Sequence, residues 1–87
     1  MQRLGRRFVP FYYFIWNDLI EEHLAQHSVA PHEFEEVVCD PDEADRSRSS
    51  GRAIAFGETS TGRYIACVYE LLDDATVLPV TAFEVED

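Results

Sequence analysis

Four arginines, Arg46, Arg48, Arg52 and Arg63, fall in or beside segments that read as neighbouring strands, so strand pairing gathers them toward one end of a sheet near Tyr64 or Tyr69. Clustered guanidinium groups are suited to stabilising phosphoryl charge. The competing fate is an exposed ion pair with a surplus carboxylate, the usual one for Arg in an acidic protein. His23 and His27 stand four apart, the spacing at which two imidazoles of one helix can share a metal, and His32 and Cys39 follow them. The intervening Leu24, Ala25 and Gln26 exclude an H-E-x-x-H pattern, and no second cluster supplies the remaining ligands. No metal or other cofactor is expected. The two His read as helix residues bonded to backbone or loop, with acid/base use as the alternative.

Other chemistries lack their residues. Gly51, Gly57 and Gly62 are isolated, so there is no glycine-rich phosphate loop opening a helix. The hydroxyls of Ser49-Ser50-Gly51 and Thr59-Ser60-Thr61-Gly62 fit turn chemistry, and neither segment is the G-x-S-x-G elbow of a serine hydrolase.

The 87 residues carry seventeen acids against seven bases, for a net charge of −10; every base is Arg. The three arginines Arg3, Arg6 and Arg7 open the chain, whereas the stretch from Asp18 to Asp45 is rich in Asp and Glu without a single Arg. That balance disfavours non-specific binding of RNA or DNA. The acidic stretch reads as a solvated helical face, or as a docking face for a basic protein. Cys39 and Cys67 have no metal spacing and are too few for a disulfide scaffold, so a reduced, cytoplasmic protein is expected. No run approaches the roughly 20 apolar residues of a membrane helix.

These residues must be held by one small domain, 46% hydrophobic, which is enough for a packed core. Residues 1–8 read as a flexible basic arm and 9–87 as a single α+β domain. Aromatic and β-branched residues from Val9 to Trp16 predict a strand. Asn17 or Asp18 caps a helix ending near Ser28, with Asp18 and Glu21 as a D-x-x-E capping box and Ile20, His23, Leu24 and His27 on one stripe. Pro31 starts a second helix, stapled by Val29, with Phe34, Val37 and Val38 inward and Pro41 as its stop. A short edge strand is expected at Arg46 to Ser50. Three strands follow, Ala53 to Thr59, Arg63 to Leu72 and Thr76 to Val85, joined by short turns into an antiparallel meander packed on the helices.

The two-residue period puts Ile54, Phe56, Ile65, Cys67, Tyr69 and Leu71 toward the helices. It leaves Ala53, Ala55, Gly57, Ala66 and Val68 as a bare small-residue face suited to a homodimer. The expected core is Trp16, Leu24, Phe34, Val38, Ile54, Phe56, Ile65 and Cys67.

The order of Ile15-Trp16-Asn17, of Glu22-His23-Leu24-Ala25-Gln26-His27-Ser28-Val29 and of Glu33 through Pro41 resembles the opening of the BrnT family. That family comprises ribonuclease toxins of type II toxin-antitoxin pairs, in which a tryptophan strand precedes a helix ending in a His-Gly-Val-like turn. Gly51-Arg52 to Gly57, Thr59 to Arg63 and Tyr64 to Tyr69 resemble its later strands. The resemblance implies a RelE-like α+β fold, a bacterial cytoplasmic setting, a small antitoxin protein as partner and metal-free RNA cleavage. It carries Arg52 and Arg63 over as catalytic basic positions and His23 as a helix-motif residue.

Two departures matter. The family continues past its last strand into a basic helix, where this sequence reads Thr81-Ala82-Phe83-Glu84-Val85-Glu86-Asp87, and its first-helix Lys is missing here. The reading is therefore a BrnT-like protein with weak or absent RNA cleavage, the alternative being a non-catalytic protein-interaction module, homodimeric through its sheet.

Overall fold

Asn17 begins the first helix by accepting a 2.9 Å hydrogen bond from the Ile20 N–H on its side-chain oxygen. Asn17, not Asp18, is thus the cap, and Asp18 and Glu21 lie in the first turn where the helix dipole favours negative charge. The computed structural model describes residues 12–46 and 52–86. The expected basic arm and the segment holding Arg48 lie outside the described residues. Within them run β1 (Tyr13–Phe14), α1 (Asp18–Gln26), α2 (Pro31–Cys39), β2 (Glu43–Arg46), β3 (Arg52–Glu58), β4 (Tyr64–Leu71) and β5 (Thr76–Glu84).

The fold is α+β: both helices pack on one face of a five-stranded sheet ordered β1-β5-β4-β3-β2. The meander β3-β4-β5 is antiparallel as expected. The first strand adds a parallel pairing, Tyr13 with Thr76 and Phe14 with Val77, which makes the sheet mixed. The edge strand begins earlier than Arg46, at Glu43, because the Asp42 N–H already donates to the Phe56 carbonyl at 2.8 Å and draws the chain from α2 straight into the ladder.

The phase of β3 is the main correction. Register pairs Ala53 with Tyr69, Ala55 with Cys67 and Gly57 with Ile65, so the small residues of β3 share the helix-facing side with the large ones of β4. Ala53 and Ala55 are buried in the core with Leu24, Val29, Phe34, Val37 and Val38, whereas Ile54 and Phe56 are half-buried on the opposite face. The cause is close approach: a Cβ on Gly57 would stand 3.3 Å from Val37 Cγ1. On β3, large side chains fit only on the side that α2 does not cross. The expected small-residue dimer face is therefore lost, since Ala53, Ala55 and Gly57 lie under the helices.

Leu24, Phe34, Val38, Ile65 and Cys67 are buried as expected. Trp16 is half-buried in an aromatic cluster, edge-on to Phe34 at 5.7 Å, with Phe34 also edge-on to Phe14 and Tyr69. Such pairs contribute about 0.5–1.5 kcal/mol each beyond the area they bury. Of the expected α1 stripe only Leu24 is buried, while His23 and His27 are exposed. No helix among the described residues is long and apolar enough to cross a membrane.

Candidate functional site

Arg63 enters its site through the β3–β4 turn. Gly62 takes a positive φ of 90°, its N–H donates to the Thr59 carbonyl at 2.9 Å, and Thr59 N–H donates to the Arg63 carbonyl at 2.7 Å. The turn aims Arg63 at the α1–α2 connection. There Nη1 donates to the Ser28 carbonyl at 2.6 Å and to both Glu33 carboxylate oxygens at 3.1 and 3.2 Å, while Nη2 lies 3.5 Å from Glu84 Oε1. Ser28 presents that carbonyl from a left-handed conformation, φ 61°, at the place where the resembled family has Gly.

Glu33 is the centre of this arrangement. Its residue is only 6% exposed, which makes it the one strongly buried acid among the described residues. Burial raises its pKa, but the Ala30 N–H at 3.0 Å, the Arg63 charge and the Thr61 hydroxyl at 3.4 Å outweigh that and hold it below the usual carboxylate value. Two other acids of α2 are also clamps. Glu35 accepts from Trp16 Nε1 at 2.8 Å and Glu36 from the Ser60 N–H at 3.0 Å. The acids expected on a solvated face thus tie α2 to the segment between β1 and α1 and to the β3–β4 turn.

His23 is exposed, with Nε2 3.0 Å from Thr81 Oγ1 and its ring 5.4 Å from that of His27. The register shifts between the Val68–Thr81 and Tyr69–Pro79 pairs, leaving Val80 as an extra residue beside Thr81. His23 and Arg63 therefore reach the same strand, at Thr81 and Glu84. Arg52 does not join them. It stands beside Glu70, Nε to Oε2 3.3 Å, at the opposite end of the β3–β4 hairpin, about 20 Å away at a strand rise of ~3.3 Å per residue. Arg46 pairs with Ala53 at that far end too, so strand pairing brings Arg46 and Arg52 to one end, beside Tyr69, and leaves Arg63 at the other.

Phosphate binding needs positive charge to spare. Arg63 faces two carboxylates, one nearly buried, so its field is largely cancelled where a phosphate would approach. His23 keeps an exposed imidazole beside Thr81. No group of three or more His, Cys, Asp or Glu side chains among the described residues could hold a metal. Burial, then the Glu33 charge, pushes the Cys67 thiol up to about 12, which makes it inert.

Two helices on one face of a mixed five-stranded sheet, with this order of elements, give the chain a toxin-like α+β fold. It is similar to the solved structure of the ribonuclease toxin BrnT of Brucella abortus, with a TM-score of 0.67 over 85% of this chain and 96% of that one. At 16% identity the likeness is one of fold. No protein-family model and no curated protein matches the sequence.

Proposed function

We propose that this chain is a BrnT-like module that works by binding a protein, a small antitoxin-like partner, with RNA cleavage weak or absent. The observation that carries the reading is the enclosure of Arg63 by Glu33, Glu84 and the Ser28 carbonyl. A guanidinium held this way serves the fold, and removing it from Glu33 to engage a phosphate would leave a buried carboxylate unpaired. The distance of Arg52 and the net charge of −10 support the same conclusion. The likeness to a ribonuclease toxin supports the toxin-antitoxin setting.

The test is incubation of the purified protein with cellular RNA, beside the Brucella abortus toxin as positive control. Intact RNA with this protein and fragments with the control are expected. Cleavage by this chain that disappears in His23→Ala, an exposed position whose loss leaves the core untouched, overturns the reading in favour of a retained ribonuclease.

A further inference from the structure

We infer that the sheet face opposite the two helices is a docking surface for a basic amphipathic segment of a partner protein. This rests on the reading of the chain as a protein-binding module and names the chemistry of what it binds. Residues paired across a ladder share a face, so the register assembles the surface: Ile54 beside Val68, Phe56 beside Ala66, and Ala66 beside Phe83. Phe83 is 40% exposed, and Ile54, Phe56 and Val68 are half-buried.

The frame around these apolar groups is acidic. Glu43 pairs with Phe56 and Asp45 with Ile54, so both carboxylates stand on this face, and Glu58 follows Phe56 two residues on. Glu43, Ala44, Asp45 and Phe56 line a shallow recess. Two residues apart on one strand, Glu43 and Asp45 are roughly 7 Å from one another, a span that one guanidinium can bridge. An Arg of the partner laid across Phe56 meets the ring with its stem and both carboxylates with its head. Tyr64, at the same end, is held above the usual phenol value by burial and then by the charges of Asp42 and Glu43. Arg52, also on this face, already stands against Glu70.

Charge selects among occupants. A second copy brings the same −10 charge and the same carboxylates, and nucleic acid brings more negative charge. A basic segment removes the repulsion and covers the apolar strip: a helix packs its apolar stripe on a sheet, and Arg flanking that stripe meets the carboxylates.

The experiment titrates the full chain, isotope-labelled, with a synthetic amphipathic helix of Leu, Ala and Arg, and follows backbone amide shifts. A second peptide has Ser for Leu, and a third has Glu for Arg. Saturable shifts confined to β2, β3, β4 and the part of β5 around Phe83, with the first peptide alone, are expected. Glu43→Gln with Asp45→Gln should weaken binding about 5- to 10-fold, and Phe56→Ser by at least about tenfold, both with an unchanged circular dichroism spectrum. Shifts centred on α1 and α2, or equal binding of the Ser peptide, overturn the proposal while leaving a protein-binding role intact. So does a concentration-dependent dimer that blocks the peptide. Binding that appears only when Arg3, Arg6 and Arg7 are replaced by Ser assigns the face to the chain's own N-terminus and overturns it as well. RNA cleavage in the separate assay sinks the parent reading whatever the peptides do.

Discussion

Gly57 lies directly under Val37, with room for a Cβ only at 3.3 Å from Val37 Cγ1 and 3.6 Å from the backbone of Pro41 and Asp42. This single approach sets how α2 sits on β3. It also sets the phase of the strand, because the side under the helix has to be the one with Ala53, Ala55 and Gly57.

Substitution of Gly57 by Val should therefore destabilise the domain by about 1–3 kcal/mol through overpacking. On the other face of the same strand, Phe56→Ala should cost less than Ile65→Ala, which empties a fully buried site and should cost about 2–5 kcal/mol. Urea denaturation of the three variants orders them. A Phe56→Ala cost equal to that of Ile65→Ala would contradict the observed phase.

Ser28 offers a gain instead of a loss. Its φ of 61° lies in the left-handed region, which costs a residue with a Cβ roughly 1–2 kcal/mol, and Gly escapes most of that cost. The Arg63 bond goes to the backbone carbonyl, so Ser28→Gly keeps it. The variant should be more stable by about 0.5–1 kcal/mol, seen as a higher midpoint in thermal or urea unfolding. A lower midpoint would show that the Ser side chain contributes more than the strain it carries.

Acid should act through Glu33. Its folded-state pKa lies below its ordinary value, so its contribution is fully present above the unfolded pKa and is lost as pH falls through the folded one. Stability should accordingly decline below about pH 4.3, the ordinary Glu value, as the carboxylate accepts a proton and releases Arg63. Glu33→Gln should be less stable at neutral pH by about 1–3 kcal/mol and should show a flatter acid limb. Urea midpoints measured from acid to neutral pH for both proteins test this; parallel curves would assign the acid limb to other groups.

Much of the architecture was legible in the sequence. The cap at Asn17, the Pro31 start, the inner face Phe34, Val37 and Val38 and the meander turns each have a local physical cause, so local reading finds them. The phase of β3 has no local cause. Ala53, Ile54, Ala55 and Phe56 alternate small and large, and hydrophobicity alone sends the large pair inward; only the distance to α2 reverses it. The same holds at the candidate site. Arg52 and Arg63 lie eleven positions apart in sequence yet at opposite ends of a hairpin, because a strand carries its residues away from one another until the turn. Glu33 gave one signal, its place three residues after Ala30 at the start of α2, where a Glu reaches back to the helix N-terminus. Its pairing with Arg63 is a tertiary contact between residues thirty apart and leaves no trace in spacing.

The two cysteines should separate cleanly by reactivity. Cys39 is exposed at the end of α2, whereas Cys67 is buried in the sheet with its pKa pushed to about 12 by burial and by the Glu33 charge. At about pH 8 only roughly one Cys67 in ten thousand carries the thiolate that attacks an alkylating reagent, even before access is considered. Iodoacetamide should therefore modify one thiol per chain in the native protein and two in urea, with peptide mapping placing the native label on Cys39. Because Cys67 reacts only after β4 opens, its slow labelling rate reports the free energy of that opening. Glu33→Gln, which removes the nearby negative charge and loosens α2, should speed it. Native labelling of both thiols at similar rates would show that the sheet core around Ala55, Cys67 and Ala82 opens far more readily than its packing implies.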